Sequence, residues 1–359
     1  MKPVLFVTNH APAYRVGAFE RLHRLENVEF ALFGGRLKHG GGPSQLDLPF
    51  PHLHVREREL YALAASGSYR AVVCPTNGRV AVLATWAAAR RARVPLILWA
   101  SLWAHPRSAA HALSYPALLR LYRSADAVVT YGPHVSAYVR ARGARHVHIA
   151  PQSVDNAFWS SPELNTPADP KWPADAVVKF LFAGRPTREK GLGVLVDAWS
   201  ISGLQAPTAA LVLVGAGSTP PWVPAGGAVS SIEAVGPTEL RNFYGAADVL
   251  VLPSIPTRTF REPWGLVVNE AMNRGLAVIA SDAVGAAAGG LVRDGRNGLV
   301  VPAGDPLALA GALRTLAGDP TLRTRMGASG RANVSSYTHD AWAQGFSHAL
   351  ADIGLSRGT

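Results

Sequence analysis

The sequence has a single cysteine, few charged residues and no long apolar run. The one cysteine, Cys74, excludes a disulfide scaffold and a cysteine-based zinc site. No apolar run approaches the ~20 residues that cross a bilayer, and the first residues lack the core and cleavage site of a signal peptide. No Asp-x-Asp pair occurs, so nothing supports a Mg²⁺ or Mn²⁺ clamp. These absences predict a soluble cytoplasmic α/β enzyme without a metal or other cofactor.

Acidic residues are scarce in the first part of the chain. The formal net charge is +11, and residues 1–165 hold 19 Lys and Arg against 9 Asp and Glu, whereas the rest holds 16 against 15. A basic domain attracts phosphate-rich partners, such as anionic lipid, nucleic acid or a pyrophosphate-bearing acceptor. The arginines are scattered, so a composition that only keeps the protein soluble explains the charge equally well. No nucleic-acid module is recognisable, and we predict no nucleic-acid partner.

Short apolar runs alternate with helical patterns over most of the 359 residues, which is typical of a doubly wound parallel sheet. The predicted strands are 3–8, 28–34, 71–75, 95–101, 127–132, 146–152, 177–184, 209–217, 248–254, 276–281 and 298–304. The predicted helices include 79–93, 135–143, 190–200, 237–247 and 264–275.

The pattern stops and restarts around residues 160–176, a stretch rich in Pro, Ser and Asp that we interpret as an interdomain linker. The sequence therefore predicts an α/β protein with two Rossmann-like domains, 1–165 and 166–335, facing a central cleft. A helical tail, 336–359, is expected to pack back on the first domain. In such folds ligands bind beyond the carboxyl ends of the strands.

The densest signal for chemistry is the segment 258–275, which holds two glutamates eight residues apart, Glu262 and Glu270. Between them a Pro-Trp-Gly loop opens a helix, and free N–H groups at a helix start can bind a diphosphate. Gly265 lets the backbone approach that diphosphate closely. A carboxylate beside an anion is unfavourable unless it binds hydroxyl groups. We therefore predict that Glu270 binds ribose hydroxyls and Glu262 the hydroxyls of a sugar.

A second signal is FAGRPTREKG at 182–191. A strand ends at Gly184, and two cations follow, Arg185 and Lys190. At the strand-end edge of the sheet they would clamp both phosphates and stabilise a leaving diphosphate without a metal.

These motifs resemble the GT-B retaining glycosyltransferases of family 4. The matching residues are Gly184, Arg185, Lys190 and Gly191; Gly215 and Gly217; and Glu262, Pro263, Trp264, Gly265, Leu266, Glu270, Ala271, Met272 and Gly275. The segment 278–306 is similar to the family's continuation.

The resemblance implies a role for each matching position. Arg185 and Lys190 would bind the donor diphosphate, Glu270 the ribose and Glu262 the donor sugar. The backbone at Gly265, Leu266 and Val267 would hold the distal phosphate. Further residues assigned to the nucleotide sugar are Gly17, Gly184, Gly215, Val235 and Trp264.

The first half is similar to the acceptor domain of one branch of the family, over 99–106, 124–132 and 150–159. There His105 would line the cleft near the anomeric carbon, which adds it to Arg185, Lys190 and Glu262 as a catalytic candidate. Where many members carry a Gly-Gly loop, only Gly17 remains. Tyr14, Arg15 and Trp103 are assigned to the acceptor. Glu233 and Ala277 depart from the family pattern, so the base is left open between UDP and GDP.

The predicted function is transfer of a hexosyl group from a nucleotide-diphospho-sugar to a hydroxyl acceptor, with retention. The acceptor would be a glycan, a lipid-diphosphate-linked oligosaccharide at the inner face of an anionic membrane, or a small natural product. The alternatives are a GT-B sugar-nucleotide epimerase and a catalytically silent GT-B binding protein. Several residues also have structural explanations: a tight turn at Gly215 and Gly217, a hydrogen-bonded His105, and core positions for Trp99 and Trp103.

Overall fold

The computed structural model describes residues 1–34, 48–76, 79–162, 172–173, 175–217 and 228–357. The chain divides into two compact units. The first comprises Met1–Asp155 together with Thr338–Thr359, and the second comprises Asn156–Tyr337. Most of the segment 160–176, interpreted above as the linker, lies outside the described residues.

The strands are numbered in chain order. They are β1 (Val4–Thr8), β2 (Val28–Leu32), β3 (His52–His54), β4 (Ala71–Pro75), β5 (Leu96–Ala100), β6 (Ala127–Thr130), β7 (Val147–Ile149), β8 (Val178–Ala183), β9 (Ala209–Val214), β10 (Val229–Ile232), β11 (Val249–Leu252), β12 (Ala277–Ser281) and β13 (Gly298–Val301).

The helices are numbered in the same way. They are α1 (Ala13–Glu26), α2 (Leu60–Ala64), α3 (Arg79–Ala92), α4 (Ala109–Ser124), α5 (Pro133–Arg140), α6 (Asn156–Ser160), α7 (Leu192–Ser202), α8 (Pro237–Ala246), α9 (Val267–Asn273), α10 (Gly285–Ala288), α11 (Pro306–Gly318), α12 (Pro320–Val334) and α13 (His339–Asp352).

Each unit is built on a parallel sheet. Within the described residues the strand order is β3-β2-β1-β4-β5-β6-β7 in the first unit and β10-β9-β8-β11-β12-β13 in the second. Strands such as β4 and β9 are continuous apolar runs that are buried along their whole length, as expected for sheets covered on both faces. In both sheets the chain leaves the first strand in one direction and later returns to its other side. Such switch points form a crevice at the carboxyl ends of the strands.

The C-terminal helix α13 completes the core of the first unit. Its Trp342 and Phe346 are fully buried against Phe6, with ring centroids 6.3 and 5.4 Å away. A Cβ at Gly345 would lie 2.4 Å from the Ile149 carbonyl oxygen, so this position requires glycine for the helix to approach β7. The end of the chain is therefore part of the first sheet's packing.

The second unit ends in two helices that are capped by aspartates. The Asp305 carboxylate accepts from the N–H groups of Leu307 and Ala308 at the start of α11. Asp319 caps α12 in the same way, and each helix has proline as its first residue.

The structure corrects the start of two predicted helices. The helix expected from residue 264 begins at Val267, because Gly265 has φ +92° and lies outside the helical region. The helix expected from residue 190 begins at Leu192, because Gly191 has φ +70° and ends a short 3₁₀ turn, Arg188–Lys190. Both corrections place a tight turn where the motif residues occur.

Candidate functional site

The turn that carries Lys190 is fixed against the segment that follows β11. A Cβ at Gly191 would lie 2.0 Å from the Pro253 carbonyl oxygen, so no other residue fits without moving the backbone. The Ile255 N–H donates to the Glu189 carbonyl at 2.9 Å. The carboxyl ends of β8 and β11, which are neighbours in the sheet, are thereby joined by their loops.

This contact brings two motif residues together. Lys190 Nζ lies 2.5 Å from Glu262 Oε2, and the Ser254 hydroxyl donates to the same oxygen at 3.4 Å. Both charged side chains are largely buried, with 16% of Lys190 and 9% of Glu262 exposed. The sequence analysis assigned these residues to different parts of the donor, and the structure pairs them with each other.

The loop after Glu262 is held by α10. A Cβ at Gly285 would lie 2.0 Å from the Pro263 carbonyl oxygen, so the start of α10 packs directly on the loop backbone. The Gly285 N–H donates to the Glu262 carbonyl at 3.1 Å, and the Ala286 N–H donates to the Trp264 carbonyl at 2.8 Å. The loop is fixed by backbone contacts, which leaves the Glu262 carboxylate to its side-chain partners.

Gly265 is the point of closest packing in this loop. A Cβ there would lie 2.7 Å from Leu252 Cδ2 and 3.9 Å from Glu262 Cγ. A Cβ at Gly184 would likewise lie 3.9 Å from Lys190 Cδ. Both glycines therefore border the Lys190–Glu262 pair.

The first N–H groups of α9 follow directly. Leu266 and Val267 are half-buried, and within the described parts of the chain their N–H groups donate to no acceptor. Two backbone donors thus remain for an outside acceptor, four and five residues after Glu262 in the chain.

Glu270 lies one turn further along α9. It accepts a hydrogen bond from the Tyr244 hydroxyl at 2.8 Å. The residue is half-buried, and loss of solvation raises the pKa of its carboxyl to about 7. The Tyr244 hydrogen bond opposes this shift, because it stabilises the ionised form. The group therefore changes charge close to neutral pH.

Trp264 is used differently from its motif neighbours. Its side chain is 3% exposed, its Nε1 donates to Asn269 Oδ1 at 2.7 Å, and its ring lies 5.8 Å from that of Tyr337. The indole is thus part of the packing beneath the loop.

The remaining donor candidates lie at the strand ends of the same sheet. Arg185 is exposed. Burial alone would raise the pKa of Glu189, but hydrogen bonds and the charges of Arg185 and Lys190 outweigh it and lower that pKa overall. A Cβ at Gly215, which has φ +84°, would lie 2.6 Å from the Gly184 carbonyl oxygen. Val235 is half-buried in the loop before α8.

The candidates of the first unit separate into two places. Tyr14 and Arg15 line a pocket of about 180 Å³ at the carboxyl ends of β1, β4, β5 and β6, together with Trp99. Gly17 faces α13, and a Cβ there would lie 2.6 Å from the His339 ring.

His105 and Trp103 belong to a different cluster. His105 Nε2 lies 3.3 Å from the His111 carbonyl oxygen, and its Nδ1 lies 3.4 Å from the Tyr138 hydroxyl. Burial lowers the pKa of His105, and the charge of Arg142 lowers it further. The hydrogen bond to the His111 carbonyl raises this pKa but does not outweigh them. The Trp103 ring packs edge-on against His134 at 5.1 Å.

No group of three His, Cys, Asp or Glu side chains that could hold a metal ion occurs among the described residues. His146 and His148 both contact Asp352 Oδ2, at 2.8 and 3.0 Å, and so attach α13 to β7. In the parts of the chain that the structure covers, no helix is long and apolar enough to span a bilayer.

Sequence reasoning missed three residues that shape the site: Ser254, Tyr244 and Gly285. Ser254 follows a buried strand, which is a signal for this edge of the sheet. Tyr244 lies in the predicted helix 237–247 and Gly285 in the segment 278–306, and neither pattern indicates a contact with Glu270 or with the Glu262 loop.

Comparison with known proteins adds an independent observation. Residues 178–319 match the family model of the glycosyl transferases group 1. D-inositol 3-phosphate glycosyltransferase of Streptomyces scabiei is 41% identical over 112 residues, which are 30% of this chain and 23% of the relative. The enzyme of the same name from Xylanimonas cellulosilytica is 34% identical over 225 residues, 54% of this chain and 49% of the relative. The matches thus span less than half of these relatives.

Solved structures match over the whole chain. Sucrose-phosphate synthase of Thermosynechococcus elongatus has a TM-score of 0.73 at 21% identity and covers 99% of both chains. Anabaena HepE, solved with UDP-glucose, has a TM-score of 0.72 at 17% identity and covers 98% of this chain and all of that one. The predicted fold class is confirmed: both sheets are Rossmann-like, as in GT-B glycosyltransferases.

Proposed function

We propose that this protein is a retaining glycosyltransferase that moves a hexosyl group from a nucleotide-diphospho-sugar to a hydroxyl acceptor. The observation that carries the proposal is the Lys190–Glu262 pair, bordered by Gly184 and Gly265. It is followed, at the start of α9, by the N–H groups of Leu266 and Val267, which donate to no acceptor among the described residues. Similar proteins support it: two are named as glycosyltransferases, and Anabaena HepE was solved with UDP-glucose.

In this proposal the second unit binds the donor. The backbone N–H groups of Leu266 and Val267 and the cations Arg185 and Lys190 hold the diphosphate, because each offers positive charge to anionic oxygens. Glu270 accepts from the ribose hydroxyls. Gly215 and Val235 lie at the neighbouring strand ends and border the rest of the nucleotide.

Glu262 holds the transferred sugar through its hydroxyls. Because one of its oxygens already pairs with Lys190, the orientation of the carboxylate is set before the donor binds. In this arrangement Lys190 lies between the Glu262 carboxylate, which holds the sugar, and the departing phosphate. Loss of Lys190 or of Glu262 therefore disturbs the contacts to both the sugar and the phosphate.

The chemical step is a substitution on one face of the sugar. The bond between the anomeric carbon and the diphosphate oxygen breaks, and a bond to the acceptor oxygen forms on the same face. The acceptor proton passes to the departing phosphate oxygen, while Arg185 and Lys190 stabilise the negative charge that develops there. These cations supply the charge that a divalent metal would supply, so we propose a metal-independent reaction.

The first unit is assigned to the acceptor. Tyr14 and Arg15 line its strand-end pocket, and Trp103 and His105 stay predictions for acceptor contact. Burial lowers the pKa of His105, which favours its neutral form, and its Nδ1 lies 3.4 Å from the Tyr138 hydroxyl. A cytoplasmic location, with contact between the basic first unit and an anionic membrane, stays a prediction that rests on charge alone.

A thermal-shift panel of UDP, GDP and ADP with their glucose and mannose derivatives tests the donor assignment directly. We expect one nucleotide series to raise the Tm and product NMR to show the anomeric configuration of the donor, with unchanged rates in EDTA. An isomerised donor would identify an epimerase, and binding without turnover on any acceptor would identify a silent relative. Inversion of configuration, or activity that needs a metal, would refute the mechanism.

A further inference from the structure

The strand-end pocket of the first unit contains a buried arginine without a counter-ion. Arg15 is 4% exposed, and its Nη2 donates to the side-chain oxygen of Gln152, a neutral amide. Its Nη1 is buried without a hydrogen-bond partner among the described residues. No described carboxylate forms an ion pair with it. A buried charge of this kind is costly unless an opposite charge is supplied.

Aromatic rings surround the guanidinium instead of acids. Its central carbon lies 5.1 Å from the Trp99 ring centre, 5.4 Å from that of Tyr14 and 5.7 Å from that of Tyr131. Cation–π contacts of this kind stabilise the charge but leave its N–H donors unused. The surroundings therefore hold the cation in place and leave a donor for something else.

The rest of the pocket offers further donors and no acid. Trp99 lines it, and Trp99 Nε1 is also buried without a partner among the described residues. The polar lining also includes Thr8, Asn9, His10, Thr76, Ser101 and Tyr131, and no Asp or Glu is among the described lining residues. The pocket also includes Pro12, at the start of the 14-residue helix α1, where no side chain caps the first N–H groups.

We propose that this pocket binds the phosphate monoester of an acceptor substrate, with Arg15 as its counter-ion. A phosphate has three terminal oxygens and two negative charges, so it satisfies donors from several directions at once. A planar carboxylate of one charge would meet fewer of them. The pocket lies at the switch point beside β1, where parallel sheets of this type bind ligands. Use of the site by an acceptor rests on the proposed glycosyltransferase function, whereas phosphate binding itself does not.

Binding is tested on the full chain with inorganic phosphate at pH 8, balanced with NaCl to constant ionic strength, by thermal shift and calorimetry. We expect phosphate to raise the Tm and acetate at the same concentration to have no effect. Arg15→Gln is expected to weaken phosphate binding at least ~10-fold, as for loss of a charged hydrogen bond. The control is Arg21→Gln, on the same helix but half exposed and paired with Asp340, which should bind phosphate like the wild type.

A second variant guards against misfolding of Arg15→Gln. Trp99→Phe keeps an aromatic ring beside the guanidinium but removes the Nε1 donor, and it should weaken phosphate binding by a smaller factor. A wild-type Tm that does not respond to phosphate would overturn the proposal. So would equal losses in Arg15→Gln and Arg21→Gln, or protection by acetate alone.

Failure of the site and failure of the proposed function give different results. Turnover of the donor is measured with glucose and with glucose 6-phosphate as acceptor probes, and with the same pair for mannose. If phosphate binds at Arg15 but only unphosphorylated sugars react, the acceptor assignment is wrong. If no donor reacts with any acceptor while phosphate still binds, the proposed function fails and the phosphate site stands.

Discussion

Removing either member of the Lys190–Glu262 pair should cost both stability and activity. Lys190→Met leaves a carboxylate that is 9% exposed without its cation, and Glu262→Gln leaves the ammonium unpaired. Breaking a buried ion pair costs about 3–5 kcal/mol. Since Lys190 keeps some contact with solvent, we expect about 3 kcal/mol for each single variant, the lower end of that range.

The double variant separates the pair from its parts. With both charges replaced no buried ion is left, so Lys190→Met with Glu262→Gln should be no less stable than Lys190→Met alone. Two single losses of about 3 kcal/mol that combine to no more than one of them give a coupling energy of about 3 kcal/mol, the upper end of the range for residues in direct contact. A loss of 3 kcal/mol corresponds to a fall in Tm of about 6–12 °C for a domain of this size.

Thermal unfolding followed by circular dichroism gives the stabilities, and release of nucleoside diphosphate gives the rates. All three variants should lose transfer activity by at least ~100-fold, because the double variant regains stability but not the charge. The control is Arg188→Gln, an exposed cation of the same turn, which should retain the wild-type Tm and rate. Additive losses of stability, or wild-type rates in both single variants, would refute the reasoning.

Three further results are expected. Gly191→Ala should lower the Tm and the activity, because its Cβ would lie 2.0 Å from a carbonyl oxygen and its φ is +70°. The control is Gly193→Ala on α7, where the space around the Cβ is open, and it should be neutral or stabilising in the same unfolding assay. UDP affinity measured by calorimetry should fall below pH 7 in the wild type relative to Glu270→Gln, because the ionised carboxyl, whose folded-state pKa is about 7, accepts from ribose. Tyr244→Phe removes a hydrogen bond that lowers this pKa and should move the fall in affinity to higher pH. Parallel pH profiles in the wild type and Glu270→Gln would contradict the prediction. Burial raises the pKa of Cys74 to about 12, so a thiol reagent at pH 8 should modify it at least ~100-fold more slowly in the folded than in the urea-unfolded protein; equal rates would show that β4 opens readily.

Burial on both faces made most strands predictable. The runs 71–75 and 209–214 are apolar throughout, so their positions follow from composition alone. β3 and β10 were not predicted, because each is short and only partly buried, with polar residues in at least half of its positions. Their pairing depends on neighbouring strands that the local sequence does not reveal.

The motif residues were predictable as a set but not in their mutual contacts. The spacing around Gly191 and Gly265 indicates turns, and the structure explains each by a close approach of backbone or side chain. The bond between Lys190 and Glu262 spans 72 residues. It depends on β8 and β11 being neighbours, which a single sequence does not specify.

Two buried cations show what the structure adds. In sequence Arg15 and Lys190 look alike, since each follows the end of a buried strand within a short loop or helix start. Lys190 has a carboxylate partner, so its charge is already compensated and it acts together with Glu262. Arg15 has an amide and aromatic rings, so its charge is compensated only when an anion enters the pocket. The different partners predict different consequences. Loss of Lys190 destabilises the folded protein because the buried Glu262 loses its cation. Loss of Arg15 removes an uncompensated charge and should affect anion binding far more than the Tm of the free protein.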